Sequence, residues 1–412
     1  MKYNSQINRL VLFIISIILS NSICAYSLRQ YSSKNGLSNS AILSMYQDKE
    51  GLMWFGSCEG LNMFDGLKFQ VFMPSNEENI LSGNIIESIL EAEDNTLWIQ
   101  TNYGLDRLDK QLKTVRTFKE FKGKNWVIKN TANDIFVVKN DNYLYYYVAK
   151  EDKFHNIYIK DLVFDDILQI VIDKENTLWV FMKNGKYFSY NIHLDENRKP
   201  TLIKKNYFAN KENIIWCFYE DGIFYFVDDT YALYEFDPIS KNKYYIHDIS
   251  AEVAKYGDIS SIIKYKDNYF IGFKNSGLII LQHIPEQKKR FSIYEVDIKS
   301  GIFCLMKDRY QDIVWVGTDG QGVYMYYTDS YTIKSTLFRD IPHNINNPIR
   351  TFYLDDKNTL WIGTKGDGIV SLGGYDIATG SQTTSTHFQT MNSLLKDNSV
   401  YTIVPSKKIS CG

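Results

Sequence analysis

The strongest constraint on the fold is a sequence unit that recurs about every 44 residues. In the first copy, Gly51 to Gly66, two short apolar runs flank a polar turn that contains glycine, which predicts a β-hairpin. A period of roughly 40 to 50 residues with four short strands per unit indicates the blades of a β-propeller and not a helical solenoid. One residue of the first apolar run marks each copy: Trp54, Trp98, Val137, Trp179, Phe226, Phe270, Trp315 and Trp361.

Each copy is predicted to contain four strands. An inner strand such as Ile42–Tyr46 precedes an acidic turn, and the tryptophan strand, a leucine strand and an outer strand follow. Aromatic residues, which favour strands, make up 15% of the chain. The sequence after residue 25 shows no helical periodicity over ten positions. We therefore predict an all-β fold in which the five marker tryptophans are buried against neighbouring sheets.

Residues 26–338 supply seven copies, so we predict a seven-bladed β-propeller of four-stranded blades over this range. The eighth copy is predicted to begin a second, incomplete propeller over residues 339–412. Whether the strand predicted at Ser27–Tyr31 closes the first ring is left open.

The C-terminal segment repeats the start of a further copy. Leu37 and Leu81 each precede the next tryptophan by 17 residues, and Leu395 precedes the end of the chain by the same number. Val400–Val404 is accordingly predicted to be a ninth inner strand. We expect the chain to be a truncated copy of a longer protein.

The first 25 residues lie before the repeats and have a different composition. Lys2 and Arg9 precede the apolar run Leu10–Leu19, which is followed by small and polar residues, as in a secretory signal peptide. The run is short for a membrane span, which needs about 20 apolar residues. We predict cleavage near Cys24 or Ala25, with the exact bond left open, and a periplasmic location. Lipidation of Cys24 is the alternative, but Ile23 stands where such a site needs a small residue.

Neither charge nor motifs point to catalysis or to nucleic acid. The net charge is −2 without a basic field, and the six histidines are solitary, so we expect no metal site and no cofactor. The acidic residues recur in turns, which favours turn-forming roles over paired catalytic carboxylates. Among the sparse cysteines, Cys58 and Cys304 fall in the first and seventh copies, so a disulfide across a closed ring is an alternative to free thiols.

Two stretches of the sequence resemble a known family. They are S-S-K-N-G-L-S-N-S-A-I-L-S-M-Y-Q-D-K-E-G-L-M-W-F-G-S-C-E-G-L-N-M-F-D-G and N-T-L-W-I-G-T-K-G-D-G-I, which are similar to two-component regulator propeller repeats. In Bacteroidetes such repeats form the periplasmic sensor half of hybrid two-component systems. There, two seven-bladed propellers precede a β-sandwich, a membrane helix, a histidine kinase, a receiver and a DNA-binding domain.

The resemblance implies a non-catalytic sensor of oligosaccharides released from polysaccharides. It also implies a homodimer in the full-length family, with membrane attachment through a C-terminal part that is missing here. The kinase and receiver motifs are missing from this sequence, so phosphotransfer is not carried over to it. The alternative is an exported propeller enzyme, a glycan hydrolase or lyase, or a free-standing glycan-binding protein.

Propeller ligands usually meet the loops between second and third strands and the loops that lead to the next inner strand. Flat aromatic faces and planar hydrogen-bonding groups suit sugars, so we predict that Tyr103, Trp126 and Arg350 bind the ligand, with Trp126 in a blade-connecting loop. The identity of the ligand is left open.

Overall fold

The structure is a computed structural model. The predicted signal peptide (residues 1–25) and Cys411 lie outside the residues that it describes. No helix in the described part is long and apolar enough to cross a membrane. The chain forms two compact units, residues 1–330 and residues 331–412. The described residues are 26–74, 80–160, 162–195, 199–209, 213–284, 291–327, 342–343, 345–376 and 381–405.

The strands form eight four-stranded antiparallel sheets, which confirms the all-β propeller fold predicted from the repeat. After β1 (Ser27–Tyr31), the first four blades are consecutive meanders. Their strands are β2 (Ile42–Gln47), β3 (Met53–Ser57), β4 (Gly60–Phe64) and β5 (Phe69–Phe72) in blade 1; β6 (Ile86–Glu91), β7 (Thr96–Thr101), β8 (Gly104–Asp109) and β9 (Val115–Phe118) in blade 2; β10 (Trp126–Lys129), β11 (Ile135–Val138), β12 (Tyr143–Val148) and β13 (Lys153–Tyr158) in blade 3; and β14 (Ile167–Ile172), β15 (Thr177–Met182), β16 (Lys186–Leu194) and β17 (Pro200–Ala209) in blade 4.

The remaining blades follow the same order, and a short helix, α1 (Ser250–Tyr256), joins blades 5 and 6. Three 3-10 turns, Ser33–Asn35, Lys119–Phe121 and Phe164–Asp166, lie in other connections. The strands are β18 (Ile214–Glu220), β19 (Ile223–Asp228), β20 (Ala232–Phe236) and β21 (Lys243–Asp248) in blade 5; β22 (Ile259–Tyr265), β23 (Asn268–Phe273), β24 (Leu278–His283) and β25 (Phe291–Val296) in blade 6; β26 (Ile302–Lys307), β27 (Ile313–Thr318) and β28 (Val323–Tyr327) in blade 7; and β29 (Ile349–Leu354), β30 (Leu360–Thr364), β31 (Ile369–Gly373) and β32 (Thr384–Phe388) in blade 8.

The N-terminal strand completes the ring of seven blades. β1 pairs antiparallel with β28, with Ser27 opposite Tyr327 and Tyr31 opposite Val323, so it is the outermost strand of blade 7. The inner strands β2 and β26 contact each other, which joins the first blade to the seventh. Blade 8 is a sheet of its own in the second compact unit.

The core lies between the blades. Each of the seven junctions holds its own cluster of buried apolar side chains, including the junction between blades 7 and 1. There the Trp315 ring lies 5.6 Å from the Phe55 ring, between centroids. The predicted burial of the marker tryptophans is confirmed for blades 1, 2, 4 and 7. Trp361 is half-buried and stacks on Phe388 of its own blade, so its predicted full burial is wrong.

The indole N–H groups explain why acidic turns recur before the tryptophans. In four blades an aspartate at the start of the turn between the first two strands accepts a hydrogen bond from the tryptophan Nε1. These pairs are Asp48 with Trp54 (2.9 Å), Asp173 with Trp179 (2.7 Å), Asp308 with Trp315 (3.0 Å) and Asp355 with Trp361 (3.0 Å).

Two marker positions predicted from the sequence are wrong by one residue. Val137 and Phe226 belong to clusters shared with the preceding blade, whereas Phe136 and Tyr225 face the following blade as the tryptophans do. Neither blade has the tryptophan that defines the register, and an offset of one residue moves a strand side chain to the opposite face.

The predicted ninth inner strand is also wrong, because residues 400–405 contain no strand. The segment nevertheless docks as an inner strand does: the Gly368 N–H donates to the Asn398 carbonyl (2.8 Å), as the Gly60 N–H donates to the Asn84 carbonyl (2.7 Å). Every other inner strand pairs with the second strand of its own blade, and the described chain holds no such partner for Val400.

The cysteines in the described residues are free thiols, so the disulfide between Cys58 and Cys304 does not form. The Cys304 thiol instead lies 3.4 Å from the Ile42 carbonyl oxygen, to which it donates. Burial raises the pKa of Cys304 to about 12, which leaves it protonated and unreactive near neutral pH.

Candidate ligand-binding site

The antiparallel meander sorts the loops of the propeller onto two faces. The turns between second and third strands and the connections from one blade to the next share one face, here called the connection face. The turns between first and second strands and between third and fourth strands share the other, here called the turn face. The loops predicted from the sequence to meet a ligand therefore lie on the connection face.

A groove of about 420 Å³ opens on the connection face where blade 1 meets blade 2. Three parts of the chain form it: the β3–β4 turn, both ends of the connection from β5 to β6, and the β7–β8 turn. Its lining residues are Glu59, Met73, Pro74, Ser82, Gly83, Asn84 and Tyr103.

Backbone hydrogen bonds hold the floor of this groove in place. The Asn84 carbonyl accepts from the Gly60 N–H (2.7 Å), and the Ile85 carbonyl accepts from the Asn102 N–H (3.2 Å). Gly83 permits the close approach, since a Cβ there would lie 2.3 Å from the Asn102 Oδ1 atom. The groove is thus formed before any ligand arrives, which lowers the entropic cost of binding.

Two hydrogen bonds hold Ser82 in place in the groove. Its N–H donates to the Asp106 Oδ2 atom (2.7 Å), and its hydroxyl lies 2.8 Å from that of Thr101. Burial raises the pKa of Asp106, although hydrogen bonds from Thr117 and Ser82 oppose the shift. The same arrangement recurs in blade 1, where Ser38 and Asn62 take these places, which explains why a Leu-Ser pair precedes each of these blades.

Tyr103 presents a flat, accessible ring at the side of the groove. It occupies the β7–β8 turn, is 53% exposed, and has the Lys122 ammonium 5.3 Å from its ring centroid. The exposed Glu59 brings a carboxylate to the same groove. The structure thus brings Tyr103 and Glu59, which the sequence places in separate copies, into one site.

Charges of both signs surround the site. Burial, together with the charges of Asp319 and Glu59, raises the pKa of the Cys58 thiol. The opposite charge is the Lys122 ammonium, 5.3 Å from the centroid of the Tyr103 ring. A mixed field of this kind does not select for a strongly charged ligand.

The other two predicted residues lie elsewhere. Trp126 is not in a loop but begins strand β10, and its half-buried ring packs against the cluster between blades 3 and 4. Arg350 lies in β29 of the second unit, with its guanidinium 3.9 Å from the Tyr401 ring centroid. In the described structure neither residue lines the groove.

Sequence reasoning missed Met73, Pro74 and the segment Ser82–Asn84. The Leu-Ser pair before blades 1 and 2 was a usable signal for Ser82, because its spacing to the tryptophan is the same in both. No repeated motif marks Met73 and Pro74. They line the groove only because the chain leaves β5 at this place.

The arrangement suits binding more than catalysis. Of the described lining residues, Glu59 alone carries a carboxylate, whereas glycoside hydrolysis uses a pair. No group of three His, Cys, Asp or Glu side chains in the described ranges could hold a metal ion. An aromatic ring, a carboxylate, a hydroxyl and fixed backbone groups can together bind a polar ligand of moderate size.

The sequence is similar to a known protein family and to a histidine kinase. The sequence model of the family described as two component regulator propeller matches residues 36–59 and 345–366. A protein named histidine kinase P4 from Formosa agariphila is 22% identical over 387 residues, an alignment that covers 85% of this chain and 27% of that protein.

Two solved structures from B. thetaiotaomicron share the fold. They are the extracellular domains of proteins described as the hybrid two component systems BT3049 (TM-score 0.57, 18% identity) and BT4673 (TM-score 0.53, 17% identity). Each alignment covers 92% of this chain and 50% of the solved chain, so the chain spans half the length of these structures. The WD40 repeats of RRP9 align over 73% of this chain and 99% of their own length (TM-score 0.51, 9% identity).

Proposed function

We propose that this chain, which carries two-component regulator propeller repeats, is the ligand-sensing propeller part of a hybrid two-component sensor. The observation that carries the proposal is the match of its fold, over 92% of the chain, to the extracellular domains of such systems. The signal peptide predicted over residues 1–25 supports export to the periplasm. The proposal includes a homodimer of the full-length protein, attached to the membrane through a C-terminal part.

The proposed ligands are oligosaccharides that bind in the groove between blades 1 and 2. The Tyr103 ring offers an apolar face for a sugar ring, while Glu59 and Ser82 offer hydrogen-bonding groups for its hydroxyls. A single carboxylate in the groove supports binding without cleavage. Binding, and not turnover, is the step that a sensor requires.

Calorimetry with a panel of oligosaccharides derived from polysaccharides tests the proposal. For any oligosaccharide that binds, Tyr103→Ala should weaken binding roughly tenfold, which corresponds to about 1.4 kcal/mol, because the stacking surface is lost. The matched control is Tyr158→Ala, since Tyr158 is similarly exposed (56%) but lies on the outer strand of blade 3. Both variants should keep the melting temperature of the wild type.

Two results would contradict the proposal. Equal affinities of the wild type and Tyr103→Ala for every oligosaccharide that binds would remove the groove as the site. Chromatographic evidence that the purified chain shortens an oligosaccharide would support the propeller-enzyme alternative instead.

A further inference from the structure

A second cavity lies on the turn face of the propeller, the face opposite to that of the groove. Its volume is about 680 Å³, within the range of about 300 to 1,000 Å³ typical of small-molecule sites. Turns of blades 2 and 3 form most of it, and the end of β16 in blade 4 closes one side. Its lining includes Ala92, Glu93, Trp98, Tyr146, Lys150 and Leu194.

One departure from the repeat explains the cavity. In blades 1, 4 and 8 the residue six positions before the tryptophan is the aspartate that accepts the indole hydrogen bond. In blade 2 this residue is Ala92, which lines the cavity together with Trp98. The short Ala92 side chain therefore supplies no carboxylate at the position that an aspartate occupies in those blades.

The same change leaves a donor without a partner. Trp98 is 1% exposed, and its Nε1 atom makes no hydrogen bond to any described residue. Rings of Phe118 (5.5 Å between centroids), Tyr147 (4.7 Å) and Phe154 (5.6 Å) hold the indole in place. The N–H group cannot turn away, and a buried donor without an acceptor is costly.

Other polar groups of the cavity are also available. The Tyr146 hydroxyl, the Glu93 carboxylate and the Lys150 ammonium have no hydrogen-bond or ion-pair partner among the described residues. Asp94, by contrast, is held by Arg107 at 2.5 Å. The cavity therefore offers free donors and a free acceptor together.

The charge of the lining restricts the kind of ligand. Four carboxylates and the single Lys150 ammonium line the cavity. Asp94 is paired with Arg107 and Glu151 with Lys153, so the lining has no excess of positive charge to attract an anion. The Trp98 N–H and the Tyr146 hydroxyl call for oxygen acceptors, and Phe136 and Leu194 contribute apolar walls. A neutral molecule that bears several hydroxyl groups on a ring satisfies all of these conditions.

We propose that this cavity is a second ligand site, which takes a neutral polyhydroxylated molecule of one or two rings. One hydroxyl oxygen of the ligand accepts the Trp98 hydrogen bond at the place where blades 1, 4, 7 and 8 have an aspartate carboxylate. The Tyr146 hydroxyl and the Glu93 carboxylate bind further hydroxyls. The site shares no lining residue with the groove on the connection face and does not depend on ligand binding there.

The test uses the full chain and a panel of neutral monosaccharides, disaccharides and methyl glycosides, with glucuronate as the anionic counterpart. At least one neutral compound should raise the melting temperature and change the tryptophan fluorescence, whereas glucuronate should do neither. In Ala92→Asp the new carboxylate should bond the indole. Without ligand, this variant should melt at a higher temperature than the wild type. Its affinity for the neutral compound should be at least tenfold lower.

Further variants separate this site from the groove. Leu194→Trp fills the cavity from the other side and should also abolish the response, whereas Tyr103→Ala on the connection face should leave it unchanged. Failure of every neutral compound to bind the wild type would overturn the proposal. Equal binding by the wild type, Ala92→Asp and Leu194→Trp would overturn it as well. Loss of binding in Tyr103→Ala alone would assign the signal to the groove and not to this cavity.

Discussion

At the scale of single residues, four aspartates each hold a turn and an indole at the same time. Asp173 shows the arrangement: its Oδ1 atom accepts from the N–H groups of Glu175 and Thr177, both at 2.9 Å. Its Oδ2 atom accepts from the Trp179 Nε1 atom at 2.7 Å. One side chain therefore fixes the entry to the second strand and the ring that packs against the next blade.

Removing this carboxylate should destabilise the propeller. Asp173→Ala leaves the buried Trp179 N–H without an acceptor, so we expect a loss of about 1–3 kcal/mol in the free energy of unfolding, measured by urea denaturation. Glu175→Ala changes an exposed side chain of the same turn and should stay within about 0.5 kcal/mol of the wild type. Equal effects of the two substitutions would contradict the role given to Asp173.

A second residue gives a prediction about pH. The Ser240 hydroxyl and the N–H groups of Ile239 and Ser240 hold the pKa of Asp237 below its ordinary value, despite partial burial. A carboxyl whose pKa is lower in the folded state stabilises above its unfolded pKa, about 3.9, and this contribution is lost as the pH falls through the folded pKa.

The wild type should therefore be more stable than Asp237→Asn at pH 7, and the difference should shrink as the pH falls below about 4. Urea midpoints of both proteins between pH 7 and pH 3 measure it. A difference that stays constant over this range would show that the charge of Asp237 does not contribute.

At the scale of elements, ring closure depends on how closely β1 approaches the β27–β28 turn. Gly320 and Gly322 both lie in this turn with positive φ, +96° and +82°. A Cβ at Gly320 would meet nothing within 4 Å, whereas one at Gly322 would lie 2.0 Å from the Tyr31 carbonyl oxygen in β1.

These two glycines make a matched pair of substitutions. Gly320→Ala should cost about 1–2 kcal/mol through backbone strain alone. Gly322→Ala should cost roughly 1–3 kcal/mol more, because β1 must move away from β28. Guanidinium denaturation of both variants measures the difference, and equal costs would mean that β1 does not close the ring in solution.

The elements also show what local sequence can predict. Strands and turns follow from the aromatic residues and from glycine or asparagine at left-handed positions, such as Gly51 and Asn95. The pairing of β1 with β28 does not, because the two strands are almost 300 residues apart and no local pattern selects that partner. The offsets at Val137 and Phe226 arise where no tryptophan defines the register.

At the scale of the whole molecule, both candidate sites arise from the ring. The sequence placed Tyr103 in a loop of the connection face, and this follows from the repeat alone. The groove beside it is also lined by Met73 and Ser82, at the two ends of the β5–β6 connection, and no repeated motif marks Met73. The cavity near Trp98 depends on Ala92, a small side chain that becomes informative when it is compared with the aspartates of the other blades.

Hydrogen exchange measured by mass spectrometry, with and without a bound oligosaccharide, tests the central claim that the chain senses a ligand without transforming it. We predict slower exchange in peptides that contain Gly60, Ser82–Asn84 and Tyr103, with an oligosaccharide of unchanged length recovered from the same sample. Unchanged exchange in these peptides when the oligosaccharide is bound, or recovery of a shortened oligosaccharide, would contradict the account.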